Sequence, residues 1–291
     1  MIKSMTGFGR AEGTVKDNTY IVEIRTLNGK QLDVNLKLPA LVKPYEFDIR
    51  TMLQESLIRG YVECFISVRQ NGSIKPVVIN TGLIKSYFAQ MKEVAAELDT
   101  DTNGVLAAIL RLPEVVSPSN EVADDEEWNG LKQVIAEALK ATNDHREDEG
   151  KALQKELETR VLNIQKLETE VARLEPLRRE RIREELQKHI EENSGKESLD
   201  PNRLEQEIIY YIEKIDIREE QVRLRNHCKY FFEILKNEEI SNGKKLAFLL
   251  QEMGREINTT GSKAYDADIQ KYVVLMKDEL EKAKEQTFNV L

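Results

Sequence analysis

Leu153, Leu157, Val161, Ile164, Leu167, Val171 and Leu174 step along the chain by 4, 4, 3, 3, 4 and 3. Only an α-helix brings that spacing onto one face, because 3.6 residues complete a turn. A strand would scatter the same residues over both sides of a sheet. The stripe therefore commits this region to one long helix with an apolar seam that must be covered. Pro176 is expected to kink or break it. Ile182, Leu186 and Ile190 carry a second segment to a turn at Asn193-Ser194-Gly195. A further helix starts near Pro201 and runs to about Lys236, so the middle of the chain reads as an antiparallel helical arm with apolar surface left for neighbouring copies. Asn242-Gly243 breaks the chain, and helices over 244–258 and 266–288 close it around a loop, Thr259-Thr260-Gly261-Ser262-Lys263.

The first seventy residues follow a different period. Residues 20–25 and 32–38 alternate apolar and polar, as half-buried strands do. Asn28-Gly29 between them is a hairpin signal. Pro44 opens a helix over 44–58, Gly60 ends it, and residues 61–68 form another strand. Helices follow over 81–98 and 127–145. The fold class is thus α+β: an N-terminal antiparallel β-sheet domain over 1–150, a long helical arm over 151–240, and a C-terminal all-helical segment over 241–291 that packs with 201–240.

Composition narrows the function. With 291 residues, 40% of them hydrophobic, the chain has enough core to need no disulfide or structural metal. Cys64 and Cys228 read as free thiols in a reducing compartment. The N-terminus has no apolar signal core and no apolar run is long enough for a membrane, so a cytoplasmic location without membrane contact is expected. The net charge is −9, yet the excess acid sits in residues 61–150, with 8 basic against 16 acidic side chains, so basic patches can form elsewhere. No P-loop, GxGxxG, HExxH, GxSxG or Cys-x-x-Cys occurs. His145, His189 and His227 are too scattered to define a metal site by spacing.

Two helix faces stand out. Asp216, Glu220, Arg223 and His227 are spaced 4, 3 and 4, within roughly a 60° arc of the helix over 201–236. On the next helix, Glu252, Arg255 and Glu256 lie opposite the apolar arc of Leu246, Leu249, Leu250, Met253 and Ile257. Carboxylates four apart can chelate Mg²⁺ or Mn²⁺ together with substrate phosphates, so Asp216, Glu220, Glu252 and Glu256 are candidate metal ligands. The bland reading stands beside this one: in a chain that is 33% charged, i,i+4 pairs are ordinary solvated faces. The Arg178-Arg179-Arg181-Arg183 run, interleaved with Glu180, Glu184 and Glu185, reads as a solvated helix rather than a phosphate track. The 259–263 loop offers hydroxyls, backbone N–H groups and a lysine to an anion, or else caps a helix.

Four blocks resemble the YicC/YloC family of bacterial endoribonucleases. They are Met1-Ile2-Lys3-Ser4-Met5-Thr6-Gly7-Phe8-Gly9-Arg10-Ala11-Glu12, residues 216–227 (DIREEQVRLRNH), residues 243–263 (GKKLAFLLQEMGREINTTGSK), and the tail 276–281 with Glu285-Gln286. Both charged faces fall inside matching blocks. The resemblance implies a stress-related, metal-dependent RNA-cleaving protein, hexameric around an RNA-binding channel, with Mn²⁺ or Mg²⁺ as cofactor. It also implies roles: Glu252 and Glu256 act through metal or water, His227 is the acid or base, and Arg223, Arg255, Asn258, Ser262 and Lys263 hold phosphates. The family usually carries a histidine where this chain has Gly29, and no role passes to that position. The alternative class is an RNA-binding adaptor that presents RNA to another ribonuclease, a degradation partner protein, without cutting.

Overall fold

A computed structural model describes residues 2–71, 78–117, 123–193, 201–236 and 242–291. The α+β class is as expected, with one correction to the sheet. Strands β1 (Gly7–Val15), β2 (Asn18–Leu27), β3 (Leu32–Lys37) and β4 (Gly60–Gln70) form one sheet in the order β1-β2-β4-β3. β3 and β4 run parallel, with Leu32 opposite Gly60 and Lys37 opposite Phe65, so the sheet is mixed rather than wholly antiparallel. A parallel pair needs a crossover, and helix α1 (Glu46–Ser56), entered through a 3₁₀ turn over Ala40–Tyr45, supplies it. The expected hairpin at Asn28-Gly29 is therefore absent, because β2 and β3 are not neighbours. The positive-φ glycines among the described residues are Gly60 and Gly104. Asn28 instead donates its side-chain amide to the Phe288 carbonyl at 2.7 Å. The hairpin that does form joins β1 to β2 through Lys16-Asp17, with Lys16 itself at φ +54°. A two-residue link of this kind joins antiparallel neighbours.

After the sheet come a two-stranded ribbon, β5 (Val78–Ile79) with β6 (Val116–Ser117), and helices α2 (Thr81–Glu97) and α3 (Val105–Ile109). Helix α4 then runs unbroken from Asp125 to Asn193, joining the two helices expected separately and passing through Pro176. Pro176 is exposed, so water can take the hydrogen bond its missing N–H leaves open, and the helix need not end there. The chain turn expected at 193–195 lies largely outside the described residues.

The chain divides into two compact units. One comprises residues 8–25 and 32–142. Its core is the inner face of the sheet, Tyr20, Val22, Ile24, Val62, Cys64 and Ile66, packed with α1 and the start of α4. Gly9 makes the close approach between β1 and α4: a Cβ there would lie 2.3 Å from the Ala138 carbonyl oxygen. The other unit comprises residues 1–7, 26–31 and 143–291. Here the two chain ends pair, with Met5 N–H donating to the Asn289 carbonyl and Leu291 N–H to Lys3. The boundary at 142/143 falls inside α4 rather than at a linker.

In this second unit the aliphatic stripe is covered by the chain itself. Leu153, Leu157, Val161, Ile164 and Val171 are buried in one core with residues of α6 (Arg218–Lys236), α7 (Gly243–Ala264) and α8 (Ala267–Thr287). That corrects the expectation that the stripe stays open for other copies. The helix expected over 201–236 is two helices, α5 (Pro201–Lys214) and α6, separated at Ile215-Asp216-Ile217.

Candidate active site

The break before α6 changes the role of Asp216. Its carboxylate accepts the Arg218 backbone N–H at 2.9 Å and pairs with the Arg218 guanidinium at 2.6 Å. Arg218 accordingly holds this carboxyl below the usual aspartate range. An Asp that accepts the N–H two residues on, as here, starts a helix, and this one is committed to that task. The expected column of four on one continuous helix therefore loses its first member, and only the Asp216 backbone carbonyl reaches the site.

Glu220, in the first turn of α6, is 5% exposed. One carboxylate oxygen, Oε1, accepts from the Lys263 ammonium at 2.7 Å, and Lys263 also donates to the Asp216 carbonyl at 3.3 Å. The other oxygen, Oε2, is buried with no hydrogen-bond partner. Lys263 comes from the last turn of α7, so the 259–263 stretch is helix and not the expected loop. Its hydroxyls bond back into the helix: Thr259 to the Arg255 carbonyl and Ser262 to the Thr259 carbonyl, both at 3.0 Å. The backbone N–H groups assigned to an anion are spent on helix bonds, which corrects the loop reading of Ser262. Gly261, in the last turn of α7, lets α8 lie close: a Cβ would sit 3.0 Å from Val273.

Glu256, on the face of α7 toward α6, is 8% exposed. Burial pushes its carboxyl above the ordinary glutamate range, and the Glu220 and Glu252 charges push the same way. Arg223 and His227 oppose them. The two faces expected separately are therefore one site: Glu220, Arg223 and His227 from α6 meet Glu252, Glu256 and Lys263 from α7. Arg223 is exposed and pairs with Glu219, and Glu252 receives Arg255 at 3.2 Å. At 100° per residue Glu252, Glu256 and Lys263 lie within about 40° on α7, whereas Asn258 lies about 120° or more away. Asn258 is exposed on that other side and is not brought into the cluster.

The arginine run hides a further participant. Arg178 is 1% exposed, not solvated. Its guanidinium donates to the carbonyls of Ile215 and Lys263, both at 3.0 Å, to the Ala264 carbonyl, and to Glu175. Its neighbour Arg181 pairs with Asp266, the N-cap of α8. The only sequence signal was position: Arg178 sits four residues past Leu174 and so continues the buried stripe. Among the described residues, no three His, Cys, Asp or Glu side chains converge as a ready-made metal cage.

Residues 2–155 match the family model described as endoribonuclease YicC-like, N-terminal region, and residues 171–291 match endoribonuclease YicC-like, C-terminal. The chain belongs to the YicC-like endoribonuclease family. It is 34% identical to a probable endoribonuclease YicC of Clostridioides difficile and 28% identical to one of Haemophilus influenzae, each over the full length of both chains. Every residue of the α6–α7 cluster falls within the family's C-terminal region. The family's opening block has a structural reading here. Gly7 and Gly9 are close-approach positions, the first against Arg146 and Thr26, the second against Ala138 and Thr142.

Proposed function

We propose that this chain is an endoribonuclease that cleaves phosphodiester bonds in RNA at the α6–α7 cluster. Glu256 carries the reading: a carboxyl raised by burial, with Glu220, Glu252, Arg223 and His227 near enough for their charges to act on it. His227, close enough to Glu256 for their charges to interact, is suited to take and return protons. Arg223 and Lys263 supply charge for the phosphate oxygens, where negative charge grows as the bond breaks.

A divalent ion fits this donor set. Glu220 Oε2 is buried and unpartnered, and Glu256 is near enough for the Glu220 charge to act on it. Mg²⁺ and Mn²⁺ take one or two carboxylates and complete their shells with water and phosphate, so Glu220 and Glu256 would hold the ion, with Glu252 beside them. Such an ion supplies phosphoryl charge neutralisation and a more acidic bound water. Asp216 is left out of this set because Arg218 occupies it.

The reading includes a homo-oligomer, with six copies following from the resemblance. α5 supports self-association, because Ile209 and Tyr210 are 51% and 63% exposed on it. Among the described residues no helix is long and apolar enough to cross a membrane.

The test is incubation of purified protein with end-labelled structured RNA, with Mn²⁺, with Mg²⁺ and with excess EDTA. Internal cuts that EDTA abolishes support the proposal. Tight RNA binding without cutting under any of these conditions replaces it with the adaptor reading.

A further inference from the structure

We propose that Arg178, buried in α4, is a positioning residue for the cleavage site: by tying the entry of α6 to the exit of α7 it holds the Lys263 ammonium against Glu220. The inference rests on the proposed function for the meaning of that site, but its geometry is independent of it.

Three backbone carbonyls converge on this one side chain. Ile215 lies at the bend between α5 and α6, one residue before Asp216. Lys263 and Ala264 close α7, where the last carbonyls of a helix have no partner within it. A guanidinium presents five N–H donors in a rigid fork, which no other side chain can match at one point. Glu175, itself buried, sits 2.5 Å from Nη1 and balances the charge.

The arrangement is more than a helix cap. Helix ends are commonly closed by a glycine in the left-handed conformation. Here that position is Tyr265, at φ +43°, and the carbonyls before it go to a buried ion pair. Buried ion pairs add little stability over an apolar core, because desolvation offsets the attraction. What this one does specify is distance. Lys263 is gripped at both ends, its carbonyl by Arg178 and its ammonium by Glu220 and the Asp216 carbonyl. Both of those ammonium acceptors follow closely on Ile215, the third carbonyl in the grip of Arg178. The guanidinium thus closes a ring through Ile215, Asp216, Glu220 and Lys263 that sets where α7 ends relative to where α6 begins. Misplacing a site group by about 1 Å can cost on the order of a hundredfold in rate, so this registration matters to cleavage.

The test uses Arg178→Lys, Lys263→Met and the double variant, with two readouts. The first is the ¹⁵N resonance of the Lys263 ammonium, assigned by its loss in Lys263→Met. In the wild type it should be protected from exchange, and in Arg178→Lys that protection should be lost while other lysine signals stay. The second is a double-mutant cycle on cleavage. Arg178→Lys should lower kcat about tenfold or more with KM within about twofold, and the double variant should be no slower than Lys263→Met alone. An unchanged Lys263 signal, or effects that multiply in the double variant, overturns the proposal. If Arg178→Lys fails to fold, Glu175→Gln loosens the same guanidinium without removing it and should weaken the protection in the same way. A wild type that cuts no RNA sinks the proposed function, while the ammonium resonance still decides the positioning role.

Discussion

At the scale of single residues, Glu256 is the buried carboxyl that α7 contributes to the cluster. Its carboxyl titrates above the ordinary glutamate range because of burial first and the Glu220 and Glu252 charges after it. The folded state therefore binds this proton more tightly than the unfolded chain does. By linkage its contribution to stability is present at low pH and is lost as pH rises through the raised value. At neutral pH the ionised Glu256 works against folding. Glu256→Gln, nearly isosteric, should then raise the melting temperature at pH 7 and show no such gain near pH 4, as scanning calorimetry at the two values will report. The same variant should cut RNA at least about tenfold more slowly, the scale of one lost transition-state interaction. Arg223 differs in kind. Arg223→Ala should weaken RNA binding and reduce the slope of log affinity against log salt by about one, because one phosphate contact is gone. A titration at several salt concentrations measures it, and an unchanged slope removes Arg223 from the phosphate path.

At the scale of elements, α4 sets the terms. Its stripe is buried where the spacing said it would be, and α2, α8 and strands β2 to β4 lie within a few residues of where periodicity put them. Several things were out of reach of periodicity. Whether Pro176 ends a helix depends on whether its side faces water, which spacing does not record. Parallel pairing of β3 with β4 is a decision about strand order, and the Asn28-Gly29 signal described only a local turn. The 259–263 stretch looked like a loop because Thr, Gly and Ser are poor helix formers, yet packing against α8 overrides propensity there. The individual charged faces of α6 and α7 were legible. Their meeting was not, because it depends on helix packing, and Arg178 was hidden because arginine is so seldom fully buried. Pro176 also yields a test. It is exposed, and a proline costs an interior helix about 3 kcal/mol relative to alanine, partly offset by its stiffening of the unfolded chain. Pro176→Ala should stabilise by about 2 kcal/mol in urea denaturation. A loss of stability would mean that residue 176 is shaped for a bend α4 needs.

At the scale of the whole molecule, the stripe that seemed to call for other copies is satisfied within the chain, while α5 presents exposed apolar side chains. Exposed Ile209, Tyr210 and Tyr211 should bring copies together, so light scattering at micromolar concentration should report an oligomer, with six copies expected. Replacing Ile209 and Tyr210 together by lysine should shift it toward the monomer while circular dichroism stays unchanged. A persistent oligomer would place the interface elsewhere. A single assay decides whether the α6–α7 cluster cuts RNA. End-labelled structured RNA is incubated with Mn²⁺ or Mg²⁺ and either the wild type or Glu256→Gln, with RNA binding measured on the same samples. Internal cleavage by the wild type, at least about tenfold slower cleavage by Glu256→Gln, and equal RNA affinity for both are expected. Cleavage by Glu256→Gln at the full wild-type rate would contradict cleavage by the cluster.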